Sequence, residues 1–81
     1  MVQVKLSGSF KSAAGGLGEV EVEAVNIHQL LTRLAEEHPK LKPMLDRGVA
    51  VSIDGQIYRD DRFRAIPPGS EVFLLPRMAG G

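Results

Sequence analysis

Only one stretch of the 81-residue chain carries the period of a long helix, and that limits what the rest can pack against. Ile27, Leu30, Leu31 and Leu34 fall at i, i+3, i+4 and i+7, one apolar stripe with Thr32, Arg33, Glu36 and Glu37 largely off it. Asn26 stands in front as an N-cap, and Gln29 is placed to reach back in capping-box fashion. Pro39 disfavours helical backbone at His38, which predicts the stop. Elsewhere the apolar period is two. Val2, Val4 and Leu6 alternate with Gln3, Lys5 and Ser7; Val20 and Val22 alternate with Glu19, Glu21 and Glu23; Val49, Val51 and Ile53 follow the same rule. A single helix can cover one face of a sheet and no more, so the pattern predicts a two-layer α+β roll.

The connections order the strands. Phe10 is expected as a core plug at the end of the first strand, and residues 11–18, with Gly15, Gly16 and Gly18, read as a hairpin loop. Leu41, Met44 and Leu45, punctuated by Pro43 and ended by Gly48, read as a connector tucked under the helix. Asp54-Gly55 predicts a type I′ hairpin, whose two central residues both need positive φ, with residues 56–59 returning as a strand. Residues 60–70 are irregular, with Phe63 and Ile66 as expected anchors and Pro67-Pro68-Gly69 as a turn. The apolar run from Val72 to Leu75 belongs to a central strand parallel to the first, since nearly the whole chain is available for the crossover.

Composition narrows the function. A chain of 81 residues, 43% hydrophobic and 25% charged, suits one globular domain. Ten acidic residues balance ten basic ones, so no net field draws the chain to nucleic acid or an anionic membrane. Without cysteine there is no disulfide framework and no thiolate nucleophile. Residues 1–7 lack the apolar run of a signal peptide, and no segment is long enough for a membrane span, so a cytoplasmic location is expected. Gly15-Gly16 and Gly18 precede a strand and lack Gly-Lys-Ser/Thr, unlike a phosphate loop. His28 and His38 have no acidic or thiol partner at metal spacing, so no metal is expected; Asp60-Asp61 reads as a solvated turn. Arg59, Arg62 and Arg64 read as a solvated or partner-facing rim rather than a nucleic-acid patch. No nucleophile–base–orienter set is present, so intrinsic catalysis is not expected.

The chemistry concentrates at the end. After a domain over residues 1–76 come Arg77, Met78, Ala79, Gly80 and Gly81, read as a flexible tail. Glycine has no Cβ, so Gly80-Gly81 could pass through a channel too narrow for side chains and present a bare, ionised α-carboxylate. If Val72 and Leu74 face the helix, Phe73 and Leu75 face outward, and with Ala50 and Tyr58 they are expected to form a partner-binding surface.

Element order and the Gly-Gly end resemble the ubiquitin-like β-grasp fold: a mixed sheet of four to five strands on one main helix. The second half resembles the MoaD/ThiS sulfur carriers. The residues that carry this are Val51 to Gln56, Asp60-Asp61, Pro67 to Val72, Leu74-Leu75-Pro76 and Ala79-Gly80-Gly81, where the family has an "x-V-N-G" hairpin, an acidic turn, a "D-G-D-E-V" turn and a "P-x-x-x-G-G" close. Asp54 replaces the common asparagine, Pro68-Gly69-Ser70 replaces Asp-Gly-Asp, and residues 6–16 depart from the "F-A-x-x-R-E" segment of molybdopterin-synthase small subunits, with a Gly-Gly loop similar to carriers that feed cysteine synthesis. The resemblance implies a carrier, monomeric when free and not itself an enzyme. Its Gly81 would be adenylated by a MoeB/ThiF-like enzyme using ATP and magnesium, then converted to a thiocarboxylate. The implied acceptor is the large subunit of molybdopterin synthase; donors for cysteine, thiazole or tRNA thiolation, and a protein modifier conjugated through Gly81, are the alternatives.

Overall fold

The alternating residues of the first segment form β1 (Val2–Lys5), with Val2 and Val4 buried and Gln3 exposed. The computed structural model describes residues 1–59 and 61–76. After β1 come α1 (Gly8–Ala13), β2 (Glu19–Val22), α2 (Ile27–Glu37), a 3₁₀ turn (Pro39–Leu41), α3 (Lys42–Asp46), β3 (Val49–Ile53), β4 (Gln56–Tyr58) and β5 (Glu71–Pro76). The five strands form one sheet in the order β2-β1-β5-β3-β4. β5 is central: it runs parallel to β1, with Val4 beside Val72, and antiparallel to β3, with Val51 beside Leu74. The remaining pairs, β1 with β2 and β3 with β4, are antiparallel.

The α2 stripe supplies the centre of the core. Leu30 and Leu34 are fully buried against Val4, Val22, Val51, Val72 and Leu74. Asn26 Oδ1 accepts from the Gln29 N–H at 2.8 Å, and Gln29 Oε1 accepts from the Val25 N–H at 3.1 Å, so the cap is reciprocal but reaches one residue further back than the simple box. Leu41 and Leu45 are buried and Met44 half-buried beneath α2, where the connector was expected to tuck.

Two expectations are corrected. Residues 11–18 are not a plain hairpin loop: β1 and β2 do pair, but α1 stands between them with Phe10 buried in the core. Gly15-Gly16 terminates that helix. The Gly16 N–H donates to Lys11 O at 2.9 Å and the Gly15 N–H to Ser12 O at 3.1 Å, a Schellman arrangement that needs Gly15 at positive φ, here 75°. Phe63 is not a core anchor either. It is 80% exposed, whereas Ile66 is buried as expected, because the backbone on both sides of Phe63 is tied to the start of α2 and turns the ring outward.

Candidate docking face

Side chains opposite one another in a sheet share a face, so the strand register sorts the residues around β5. Val72 and Leu74 face α2 with Val4, Val51 and Ile53. Phe73 and Leu75 face the other way, Phe73 between Lys5 and Ser52, and Leu75 opposite Ala50. No helix of the described residues covers this side. Both side chains are half-buried, yet Ala50 and Ser52 beneath them are almost completely shielded. The face therefore carries a shallow apolar patch that is already closely packed.

Phe73 has a polar neighbour on its β1 side. Lys5 Nζ lies 5.3 Å from the ring centroid and 3.5 Å from a Glu71 carboxylate oxygen. Glu19 and Glu21 extend the polar half of the face, since they pair with Lys5 and Gln3. The face thus divides into a charged half over β2 and β1 and an apolar half over β5, β3 and β4.

Tyr58, expected beside Phe73 and Leu75, belongs to the opposite side. The two-residue turn at Asp54-Gly55 pairs Ile53 with Gln56, Ser52 with Ile57 and Val51 with Tyr58. Tyr58 accordingly packs on the core, with the Arg64 guanidinium 4.7 Å from its ring centroid. The residue that joins Phe73 through Ser52 is Ile57, 55% exposed. Its signal was present in the sequence, because a type I′ turn fixes register and register fixes face.

Asp54 and Gly55 adopt the required positive φ, 49° and 89°. β5 meets the start of β3 where Pro76 pairs with Val49. The five residues proposed as the reactive tail, Arg77, Met78, Ala79, Gly80 and Gly81, lie outside the described residues.

Among solved structures the chain is similar to small archaeal modifier protein 1 from Methanosarcina acetivorans (TM-score 0.81, 22% identity, 99% of this chain and 95% of that one). It is similar to a chain of the Amycolatopsis orientalis BexX/CysO complex (TM-score 0.79, 19% identity, 100% of both chains). It also resembles an inferred molybdopterin converting factor subunit 1 from Pyrococcus furiosus (TM-score 0.77, 23% identity, 95% and 97%). These structural likenesses establish the fold, the ubiquitin-like β-grasp. No curated protein matches the sequence. The ThiS family profile matches residues 4–81, nearly the whole length, and the chain belongs to the ThiS family.

Proposed function

We propose that the chain is a sulfur carrier, a co-substrate whose Gly81 carboxylate is activated and thiolated by partner enzymes. The single observation that carries this reading is the ThiS family match, which runs through Gly80-Gly81. The fold supports it: five residues beyond Pro76 could span roughly 17 Å when extended, enough to reach a recessed active site. In this reading a MoeB/ThiF-like enzyme supplies ATP, magnesium and a phosphate cradle. The carboxylate oxygen attacks the α-phosphate and pyrophosphate leaves. A persulfide sulfur then attacks the acyl-adenylate and AMP leaves. Cleavage of the resulting acyl persulfide by a second thiol leaves a thiocarboxylate on Gly81.

The apolar half of the open face, centred on Phe73 and Leu75 with Ile57 at its margin, is the docking surface for the activating enzyme and the sulfur acceptor. As acceptor we take the large subunit of a molybdopterin synthase, in keeping with the Pyrococcus furiosus neighbour. Intact-mass analysis of protein from its own host tests the carrier step: one carboxyl oxygen should be exchanged for sulfur, and deletion of Gly81 should abolish the exchange. Covalent adducts through Gly81 on lysines of other proteins would replace the carrier by a modifier. With neither product the reading fails. Incubating the thiocarboxylate form with candidate acceptors then separates molybdopterin synthesis from donation to cysteine, thiazole or tRNA.

A further inference from the structure

The arginine-bearing loop after β4 takes no part in the open face, but the register gives it a defined position. Tyr58 lies opposite Val51, so the chain beyond it runs back along β3 towards Val49, and Val49 pairs with Pro76. Arg59, Asp61 and Arg62 accordingly line a cleft with Gly48, Val49 and Tyr58. The loop therefore stands at the end of the sheet where β5 stops. Only β3 separates β4 from β5, a span of about 10 Å at two inter-strand spacings.

The backbone of this loop is held from both sides. The Ile27 and His28 N–H groups, which have no acceptor within their own helix, donate to Arg64 O at 3.1 Å and Arg62 O at 2.7 Å. The Ile66 N–H donates to Val25 O at 2.9 Å, and the buried Ile66 side chain anchors the exit. What this scaffold presents is Phe63, 80% exposed, its ring centroid 6.1 Å from that of His28. Asp61 is engaged by Arg64, whose Nε lies 3.1 Å from its carboxylate. Arg59 and Arg62 are exposed and form no ion pair among the described residues. An exposed aromatic side chain on a backbone held by main-chain bonds, flanked by arginines, has the composition of an interface hot spot.

We propose that Phe63, Arg59 and Arg62 form a second docking surface, which seats on an acidic protein rim around the mouth of the channel that receives the tail. The inference rests on the carrier reading and adds the chemistry of the partner: carboxylates facing Arg59 and Arg62, and an apolar recess for Phe63. A protein is favoured over single-stranded nucleic acid because Glu36 and Asp46 share the adjoining groove with Lys42 and Arg62, two charges of each sign. Those carboxylates interrupt the basic track a phosphate backbone would follow.

The test uses ATP–pyrophosphate exchange by the host's ThiF-like enzyme, with the full-length carrier as the varied substrate at low and high salt. The Arg59→Glu/Arg62→Glu double variant should raise KM about tenfold at low salt, leave kcat in place, and lose most of the difference at high salt. Phe63→Ala should raise KM at both salt concentrations. All three side chains are exposed and the loop is held by its main chain, so unfolding midpoints should match the wild type. Wild-type KM values for both variants, in an assay where the parent is activated, overturn the second surface and leave the carrier reading standing. So does loss of polyuridylate binding with KM unchanged, which would make the loop a nucleic-acid contact. Failure of the parent to be activated overturns the carrier reading itself.

Discussion

Asp54 shows how much one turn residue can determine. It is the one non-glycine residue at positive φ among the described residues, at 49°. Its N–H donates to Glu71 O at 2.9 Å, and its Oδ1 accepts from the Glu71 N–H at 2.8 Å. The turn between β3 and β4 is thereby fastened to the first residue of β5. The substitution of aspartate for the family's asparagine is chemically neutral here, since either side chain tolerates left-handed backbone and offers the same carbonyl-type oxygen. Asp54→Ala removes both properties and should cost roughly 1–3 kcal/mol. Asp54→Asn should stay within about 0.5 kcal/mol of the parent. Urea unfolding midpoints of the two variants provide the comparison, and equal losses would mean that the Glu71 contact contributes nothing. Sequence showed the turn type but not this long-range bond, because nothing local in residues 54 and 71 says that they meet.

Elements were legible in proportion to their length and period. The stripe from Ile27 to Leu34 and the alternation in β1, β2 and β3 placed those elements and their buried residues, down to Val4, Val51 and Leu30. α1 was hidden. It is six residues long, begins at a glycine with φ of 56°, has no side-chain cap from Ser7, and buries Phe10 as its core residue. Glycines in such a segment suggest a loop, although here they form a helix stop. Gly15→Ala would meet nothing within 4 Å, so its cost is conformational alone, about 1 kcal/mol at a φ of 75°. Phe10→Ala should cost roughly 3–5 kcal/mol, because it opens a cavity in the shared core. Were α1 peripheral, the two losses would be alike; thermal unfolding of both variants decides. Phe63 departs from its expected burial for a related reason: apolarity alone suggests burial, whereas the direction of the ring is set by backbone bonds to Ile27 and His28.

At the scale of the whole molecule, the central strand divides the helix-facing core from the proposed docking face. Val72 and Leu74 face the layer built by α2, while Phe73 and Leu75 face outward on the same backbone. This division was readable from period two alone; the exchange of Ile57 for Tyr58 needed the hairpin register as well. Two changes on β5 should therefore separate the properties. Leu74→Ala removes a fully buried side chain and should cost roughly 2–5 kcal/mol of stability. Its folded fraction should still be activated with an unaltered KM. Phe73→Ser/Leu75→Ser leaves the helix-facing layer intact, so its unfolding midpoint should fall less than that of Leu74→Ala, while KM for the activating enzyme rises at least about tenfold. The two variants must rank in opposite order by loss of stability and by rise in KM. If the outward pair proved the more destabilising and activation kinetics followed stability, the outer face would be a second core surface, and docking would have to lie elsewhere on the molecule.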